Sequence, residues 1–341
     1  MVDEAKLEAT ARAMVAPGKG ILAIDETSPT CTKRFDTLGI ESTQDTRRDY
    51  REMLITTPGV AEYVSGAILF DETIRQNAAD GRPIADVLNG QGIIPGIKVD
   101  TGARPLAGAP GETVTEGLDG LAGRLAEYRE IGARFTKWRA VIRIGPGMPS
   151  RRCIEANAHA LARYAVLAQD AGLVPIVEPE VLMDGDHDIR RCQEVTEEVL
   201  SNVFDQLFRQ RCLLEGIVLK PNMVIPGREC PVQAETREIA ELTVQTLRRC
   251  VPAAVPGVAF LSGGQTGDEA CANLNAMNCG ESQPWELTYS FGRALQYPAL
   301  EIWRGNAANV PAAQSAFLHR ARMSGLARSG RYSPSLEQVP A

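Results

Sequence analysis

The chain has 341 residues, of which 44% are hydrophobic and 23% are charged, and its formal net charge is -7. The length allows two ordinary domains or one large α/β barrel, and the composition is typical of a globular protein. The acidic balance argues against nucleic acid or an anionic membrane as a partner, because both need a basic surface, and the lack of a long apolar run leads us to expect a cytoplasmic protein.

Eight apolar runs bounded by glycine or proline predict eight strands. They lie at residues 20–24, 64–70, 93–99, 135–142, 173–178, 216–219, 257–261 and 287–291. Segments with helical periodicity lie between most of these runs, and the clearest are residues 150–171, 188–213, 235–250 and 268–278. A charged amphipathic stretch before the first strand predicts one additional N-terminal helix.

The alternation of strands and helices predicts a parallel sheet with right-handed crossovers. Eight such units fit a single closed (β/α)8 TIM barrel, which we expect to span residues 1–325, followed by an irregular, mobile C-terminal tail at residues 326–341. The alternative is a doubly wound open sheet. That fold carries a glycine-rich phosphate turn after its first strand, whereas Gly18-Lys19-Gly20 precedes the strand here.

Polar residues gather at one end of the predicted strands. In barrel enzymes the functional residues lie at the carboxyl ends of the strands. Ionisable or anion-binding residues end or follow seven of the eight apolar runs: Asp25; Lys98; Lys137 and Arg139; Glu178 and Glu180; Lys220; Ser262, Gly263 and Gly264; Ser290 and Arg293. This one-sided pattern predicts a functional site at that end of the barrel.

Lys220 is the candidate nucleophile, because it ends an apolar run. A buried ammonium is costly, so such a lysine reaches water, finds an anion, or loses its proton and becomes nucleophilic. Because alternate residues of a strand lie on the same face, Lys137 shares a face with Arg139, and Glu178 shares a face with Glu180. The charge of Lys137 would disfavour a second ammonium and so activate the nucleophile. The alternatives are a lysine that merely reaches solvent and a buried salt-bridge network without chemistry.

Two groups of residues suit phosphate. Ser262-Gly263-Gly264 precedes a predicted helix and offers backbone N–H groups after the seventh strand, a usual phosphate position in barrels. Arg293 follows the eighth strand and supplies a guanidinium for the same anion. Lys98, Lys33 and Arg34 are cations for a second phosphate. The alternative is a tight strand-to-helix turn with solvated surface cations.

No metal site is predicted. Asp184, Asp186 and Asp188 resemble the start of a calcium loop, but Ile189 and Val195 stand where glycine and glutamate are required. The three histidines are too few and too dispersed for a zinc site. We therefore expect amine chemistry with no metal and no bound cofactor.

Eight short motifs carry the residues of the predicted site. They are Gly18-Lys19-Gly20-Ile21-Leu22-Ala23, Gly96-Ile97-Lys98-Val99-Asp100, Lys137-Trp138-Arg139, Val174-Pro175-Ile176-Val177-Glu178-Pro179-Glu180, Asp184-Gly185-Asp186-His187-Asp188, Leu219-Lys220-Pro221-Asn222-Met223, Phe260-Leu261-Ser262-Gly263-Gly264-Gln265 and Gly292-Arg293-Ala294-Leu295. Through these motifs the chain resembles the class I (Schiff-base) fructose-1,6-bisphosphate aldolases of animals and plants, from about residue 5 to residue 334.

This resemblance implies a lyase of glycolysis and gluconeogenesis that cleaves fructose 1,6-bisphosphate reversibly into dihydroxyacetone phosphate and glyceraldehyde 3-phosphate. It implies that Lys220 forms the Schiff base, that Glu178 dehydrates the carbinolamine, and that Asp25 handles the proton of the C4 hydroxyl. Lys137 would assist by its charge and Glu180 would support the lysine. A homotetramer is also implied. The alternatives are an aldolase acting mainly on sedoheptulose 1,7-bisphosphate or fructose 1-phosphate, and a non-catalytic scaffold on the same fold.

The same resemblance implies two phosphate subsites. Ser262, Gly263 and Arg293 would bind the phosphate next to the ketone, and the neighbouring Gly264 and Ser290 are also predicted to bind phosphate or substrate. The rest of the substrate is held by Lys98, Arg139, Thr30 and Arg34.

Two features depart from the family pattern. The family usually has Asp-Glu-Ser-Thr-Gly-Ser after the first strand, whereas this chain has Asp25-Glu26-Thr27-Ser28-Pro29-Thr30, and the proline changes the loop. The C-terminal tyrosine of the animal enzymes has no counterpart at Val339-Pro340-Ala341, and Tyr332 aligns with an internal tyrosine. We therefore predict slow proton exchange at the enamine carbon, or another group in that role. Tritium exchange as fast as in tyrosine-terminated enzymes would exclude the slow version.

Overall fold

A computed structural model describes residues 3–338, in which eight parallel strands close into a barrel. The strands of the described chain, which include two outside the barrel, β4 and β5, are β1 (Gly20–Ile24), β2 (Val64–Leu69), β3 (Ile94–Lys98), β4 (Gly102–Pro105), β5 (Thr113–Glu116), β6 (Phe135–Ile142), β7 (Val174–Val181), β8 (Val218–Leu219), β9 (Gly257–Phe260) and β10 (Glu286–Phe291). The barrel order is β1-β2-β3-β6-β7-β8-β9-β10, and β10 pairs with β1 to close it. The predicted (β/α)8 barrel is thus confirmed, and the open sheet is excluded.

Helices surround the barrel. They are α1 (Glu4–Met14), α2 (Ser28–Asp36), α3 (Gln44–Ile55), α4 (Asp71–Ile74), α5 (Ile84–Gly90), α6 (Leu121–Ile131), α7 (Arg151–Asp170), α8 (Ile189–Arg209), α9 (Thr236–Cys250), α10 (Gly267–Asn278), α11 (Arg293–Trp303) and α12 (Val310–Arg328). The hydroxyl of Ser150 accepts a hydrogen bond from the Cys153 N–H and so caps α7. Asp188 caps α8 in the same way, through the Arg191 N–H, so a carboxylate of the calcium-like motif has a structural role.

The barrel interior is apolar and is closed at its amino-terminal end by α1. Side chains on one face of each strand point inward, and they form one buried cluster with the inner face of α1: Leu7, Ala11, Met14, Val15, Ile21, Ala23, Ile68, Phe135, Val174, Ile176, Val218 and Ala259. The additional N-terminal helix of the sequence prediction therefore seals the end of the barrel opposite the strands' carboxyl ends.

Phe135 fills the barrel interior opposite a glycine. A Cβ atom placed on Gly96 would lie 2.2 Å from the aromatic ring of Phe135. Glycine therefore stands at this position of β3 because the ring needs the space.

A hairpin formed by β4 and β5 was not predicted from the sequence. It follows β3, and the Thr115 hydroxyl donates a hydrogen bond to the Arg139 carbonyl at 2.7 Å, which fixes the hairpin to β6. Both strands are short and largely polar, so they lack the apolar run by which the barrel strands were recognised.

The helix α12 continues to Arg328, so the predicted division between residues 325 and 326 falls inside a helix. Gly325 lies within this helix, and its Cβ position lies 2.7 Å from the ring of Tyr63, so the glycine allows close packing. Beyond α12 the chain forms a 3₁₀ turn at Pro334–Gln338, where Glu337 pairs with Arg320 at 2.5 Å. Residues 339–341, which carry the departure from the family's C-terminal tyrosine, lie outside the described residues. None of the helices within residues 3–338 is long and apolar enough to cross a membrane.

Candidate active site

A cavity of about 840 Å³ opens at the carboxyl ends of the barrel strands. Its volume is within the range of small-molecule sites. Eight cations and six carboxylates line it: Lys33, Arg34, Lys98, Lys137, Arg139, Lys220, Arg228 and Arg293, with Asp25, Glu26, Asp100, Glu178, Glu180 and Asp184. The cavity thus has an excess of positive charge in a chain whose net charge is -7, which suits an anionic ligand.

The charged side chains continue the inward-facing rows of the strands. On β6, Phe135 faces the apolar interior, and Lys137 lies two residues further towards the carboxyl end on the same face. On β7, Ile176 is followed in the same way by Glu178. The two-residue period of a strand therefore changes from apolar to charged where the barrel interior meets the cavity.

Lys137 and Glu178 are the centre of a buried chain of ion pairs. The ammonium nitrogen of Lys137 lies 2.7 Å from Asp25 Oδ2 and 3.1 Å from Glu178 Oε2. The other oxygen of Glu178, Oε1, lies 3.2 Å from Lys220 Nζ. The order Asp25, Lys137, Glu178, Lys220 alternates in charge, so the burial of each group is compensated by a neighbour.

Lys220 is placed by the strand before it. It follows β8 directly, and its N–H donates a hydrogen bond to the Val177 carbonyl of β7 at 2.8 Å. The residue is 3% exposed, so the amine lies at the cavity floor rather than in bulk solvent. This observation excludes the alternative of a lysine that merely reaches solvent from the strand end.

The ion pairs alter the protonation of their members. Burial alone would raise the pKa of Asp25, but the charges of Lys137 and Lys220 lower it to about 2. Burial and the same two charges act on Glu178, and its pKa is lowered. Burial would lower the pKa of Lys137, but Asp25 and Glu178 raise it well above its usual value. Both carboxylates are therefore ionised at neutral pH, and Lys137 is a fixed positive charge.

Glu180 lies against a different cation from the one that the resemblance implied. Its Oε2 accepts a hydrogen bond from Arg139 Nε, and within residues 3–338 its only ion pair is with Arg139. Burial would lower the pKa of Arg139, but the Glu180 charge raises it above its usual range. The structure thus joins Glu180 to Arg139, not directly to Lys220.

The loop between β9 and α10 has a backbone conformation that favours glycine. Gly263 and Gly264 have φ angles of +55° and +82°, which favour glycine, and Ser262 is buried beside them. Ser290, on the neighbouring strand β10, also lines the cavity, and its hydroxyl is buried without a hydrogen-bond partner in the described chain. The adjacent Arg293 has a pKa lowered by burial and by the charges of Arg34 and Arg228. Arg293 forms no ion pair within residues 3–338, so its guanidinium and the Ser290 hydroxyl are hydrogen-bond donors available to a ligand.

Two further cations of the cavity, Lys98 and Arg34, have carboxylate partners. Lys98 Nζ lies 2.6 Å from Asp100 Oδ1, and Arg34 Nη1 lies 2.5 Å from Glu26 Oε1. Each carboxylate holds its cation at the wall of the cavity.

Pro29 is accommodated by α2. The proline stands in the first turn of this helix, where no backbone N–H is needed, and Thr27 is the N-cap. The hydroxyls of Thr27 and Thr30 are 3.0 Å apart at the cavity wall. The departure from the family pattern is therefore a helix start that keeps hydroxyls beside the cavity.

The comparison with protein families decides the identity of this arrangement. A family model described as fructose-bisphosphate aldolase class-I matches residues 6–341. The chain belongs to the class I fructose-bisphosphate aldolase family. The resemblance stated from the sequence motifs is thus confirmed.

Individual class I aldolases are similar over nearly their whole length. A probable fructose-bisphosphate aldolase class 1 of Xanthomonas campestris is 57% identical over 96% of this chain and 98% of its own. The cytoplasmic isozyme of Spinacia oleracea is 53% identical over 96% of this chain and 92% of its own. The solved aldolase of Plasmodium falciparum, in complex with TRAP and a small-molecule inhibitor, has a TM-score of 0.96 and 48% identity, covering 97% of this chain and 96% of that chain.

The site residues expected for an aldolase all line the one cavity. They are Asp25, Thr30, Arg34, Lys98, Lys137, Arg139, Glu178, Glu180, Lys220, Ser262, Gly263, Gly264, Ser290 and Arg293. Within residues 3–338, no group of three or more histidine, cysteine, aspartate or glutamate side chains is arranged to hold a metal ion.

Three charged residues that line the cavity, Asp100, Glu26 and Arg228, were not predicted as site residues from the sequence. Asp100 pairs with Lys98 and Glu26 pairs with Arg34. Asp100 and Glu26 follow strands in the same way as the residues that were recognised. A search of the residues after each strand's carboxyl end could therefore have found them. Arg228 follows no strand of the barrel, and no sequence pattern marked it.

Proposed function

We propose that this protein catalyses the reversible cleavage of fructose 1,6-bisphosphate into dihydroxyacetone phosphate and glyceraldehyde 3-phosphate, through a Schiff base on Lys220. Membership of the class I aldolase family supports the reaction. The observation that carries the mechanism is the position of the Lys220 amine, buried at the cavity floor and 3.2 Å from Glu178. An amine at this place can react with a ketone while a carboxyl group next to it exchanges protons.

The covalent steps use the four ion-paired residues. Lys220 first transfers a proton to the ionised carboxylate of Glu178, whose Oε1 lies 3.2 Å from its nitrogen, and the resulting neutral amine attacks the C2 carbonyl. The protonated Glu178 then gives this proton to the hydroxyl of the carbinolamine, which leaves as water, and a protonated imine remains. Asp25 then accepts the proton of the C4 hydroxyl. The C3–C4 bond breaks, its electron pair forms the enamine, and glyceraldehyde 3-phosphate leaves. Protonation at C3 and hydrolysis then release dihydroxyacetone phosphate and the lysine.

Lys137 assists this sequence as a fixed charge. It lies between Asp25 and Glu178, at 2.7 and 3.1 Å, and so favours the ionised form of both carboxylates. It can also donate to oxygen atoms of the substrate as charge develops on them. Because its pKa is raised, Lys137 is not the amine that reacts.

The substrate's phosphates occupy two parts of the cavity. We assign the phosphate next to the ketone to Ser262, Gly263, Gly264, Ser290 and Arg293. We assign the other phosphate and the sugar hydroxyls to Lys98, Arg139, Arg34 and Thr30. The support for these assignments is that both groups line the cavity that contains Lys220.

We further propose that the enzyme needs no metal or cofactor and acts as a cytoplasmic homotetramer. The spinach relative is named a cytoplasmic isozyme. Phe208 and Val232 are large apolar side chains with exposed fractions of 80% and 75%, which suits burial at contacts between subunits. Sedimentation equilibrium should give four times the chain mass, and a monomer would contradict the assembly.

A cleavage assay tests the proposed reaction. The purified protein should form triose phosphates from fructose 1,6-bisphosphate, and EDTA should not reduce the rate. Lys220→Ala should abolish cleavage, whereas Lys6→Ala, on the exposed face of α1, should not affect it. Values of kcat/KM for fructose 1,6-bisphosphate, sedoheptulose 1,7-bisphosphate and fructose 1-phosphate decide the preferred sugar. Turnover that survives Lys220→Ala but is lost with EDTA would overturn the proposal.

A further inference from the structure

Arg228 lies directly over the glycine loop that precedes α10. A Cβ atom placed on Gly264 would be 1.3 Å from Nη2 of Arg228 and 2.4 Å from its Cζ. The guanidinium therefore occupies the space that a side chain at residue 264 would fill. Arg228 and Gly264 line the same cavity as Lys220.

The backbone holds Arg228 in this position. Its N–H donates a hydrogen bond to the Met183 carbonyl at 2.8 Å. The residues on either side are held as well: Gly227 N–H donates to the His187 carbonyl at 2.8 Å, and Glu229 N–H donates to the Gly185 carbonyl at 2.9 Å. These three successive hydrogen bonds fix the backbone of Arg228 to the loop after β7. The position of its Cα atom is therefore fixed, although the residue itself is exposed.

Arg228 differs from most other arginines of the cavity in having no carboxylate partner within the described chain. Arg34 pairs with Glu26 and Arg139 pairs with Glu180. Arg293 shares the unpaired condition, and the charge of Arg228 contributes to the lowered pKa of Arg293. The two guanidinium groups repel each other, and a phosphate bound between them would stabilise the charged form of both.

We propose that Arg228 binds the phosphate group held by the loop 262–264 and thereby contributes to selection of phosphorylated ketoses. Its guanidinium would approach the phosphate oxygens from the side of Gly264, while Arg293 approaches from the end of β10. An arginine fork matches the geometry of a phosphate dianion, and backbone N–H groups of the glycine loop bind the same anion. This inference rests on the proposed function, because it takes the ligand of the loop to be the phosphate next to the ketone.

The test measures binding separately from chemistry. Arg228→Met removes the charge and keeps an extended side chain, and Arg228→Lys keeps a charge without the fork. Loss of a charge-assisted contact to phosphate should raise KM for fructose 1,6-bisphosphate in cleavage, and KM for dihydroxyacetone phosphate in condensation, by roughly 10- to 100-fold. The kcat of each direction should change less than about twofold, because the bound phosphate does not react. Arg228→Lys should give a smaller rise.

Arg237→Met is the matched control, because Arg237 is exposed on α9 and pairs with Glu241 outside the cavity. It should leave both KM values unchanged. An unchanged KM for both substrates in Arg228→Met would overturn the inference, while leaving cleavage by the unmodified protein intact. If KM rose for fructose 1,6-bisphosphate alone, Arg228 would contact the other phosphate of this substrate. That result would overturn its assignment to the phosphate held by the loop 262–264.

Inorganic phosphate distinguishes failure of this inference from failure of the proposed function. Calorimetric titration should show weaker phosphate binding to Arg228→Met than to the unmodified protein, and this result does not depend on turnover. A protein that binds phosphate through Arg228 but cleaves no ketose phosphate would refute the proposed reaction alone. Equal phosphate binding by both proteins would refute the role of Arg228 alone.

Discussion

Lys137 Nζ lies 2.7 Å from Asp25 Oδ2, and this contact joins the end of β1 to the inward face of β6 beneath the cavity. Burying two charges costs desolvation energy that their mutual attraction does not always offset. A pair of this kind is therefore weak evidence for stabilisation. Its position next to Glu178 and Lys220 gives it another role, because Lys137 keeps the carboxylates of Asp25 and Glu178, to which we assign proton transfers, in their ionised form.

We predict that Lys137→Met destabilises the protein and abolishes cleavage. The substitution leaves the carboxylates of Asp25 and Glu178 beside each other without their shared cation, and the expected loss of unfolding free energy is about 3 kcal/mol. Denaturant unfolding at neutral pH measures it. Arg151→Met, which breaks an exposed pair with Glu155 on α7, should leave the unfolding midpoint unchanged. Equal effects of the two substitutions would contradict this account of the buried network.

The lowered pKa of Asp25 predicts a specific loss of stability in acid. The pKa is about 2 in the folded protein and 3.8 for an unperturbed aspartate, so this group stabilises the fold above about pH 4. That contribution, of about 2 kcal/mol, is lost as the pH falls from about 4 to 2. Unfolding free energies measured over this range should decline less steeply in Asp25→Asn. If unfolding free energy declined with the same slope in both proteins, the pKa of Asp25 would not be lowered in the folded state.

Packing inside the barrel predicts the effect of adding one methyl group. Gly96→Ala places a carbon 2.2 Å from the ring of Phe135, and the forced displacement should cost about 1 to 3 kcal/mol of unfolding free energy. Gly123→Ala is the matched control, because nothing lies within 4 Å of its Cβ position in α6. The control should be stabilised by about 0.5 to 1 kcal/mol through helix propensity. A neutral Gly96→Ala would show that the ring is not confined.

The unpartnered hydroxyl of Ser290 predicts opposite effects on stability and on binding. Ser290→Ala removes a buried polar atom that has no hydrogen-bond partner in the described chain, so stability without ligand should stay equal or rise by up to about 1 kcal/mol. The KM for fructose 1,6-bisphosphate should increase, because the hydroxyl is assigned to the phosphate. Ser65→Ala is the contrast, since the Ser65 hydroxyl hydrogen-bonds the Gly20 carbonyl at 3.0 Å, and it should be destabilising. Lower stability with unchanged KM in Ser290→Ala would contradict the assignment.

The barrel strands could be predicted because they are buried on both faces. The run that became β6 is apolar except for Thr136 and for Lys137 and Arg139, which line the cavity, so the same pattern indicated both the strand and the site. The hairpin of β4 and β5 gave no such signal. It is held by contacts such as that between Thr115 and the Arg139 carbonyl, which join residues distant in the sequence.

Side-chain partners were harder to predict than side-chain locations. Strand ends placed Glu180 at the cavity, but whether its carboxylate reaches Lys220 or Arg139 depends on the register of β6 against β7, where Val141 stands opposite Glu180. Arg228 comes from an irregular segment, and only the folded path of the chain brings it to Gly264. Gly325 shows the same limit, because a glycine that allows packing against Tyr63 cannot be distinguished in the sequence from one that ends a helix.

The central claim is that the amine of Lys220 becomes bonded to the carbonyl carbon of the substrate. Incubation with dihydroxyacetone phosphate, reduction with borohydride and peptide mass spectrometry measure this directly. We expect one modified peptide, containing Lys220, with the mass of the reduced adduct, and no label in Lys220→Ala. A label on another lysine such as Lys137, or turnover without any trapped adduct, would contradict the account.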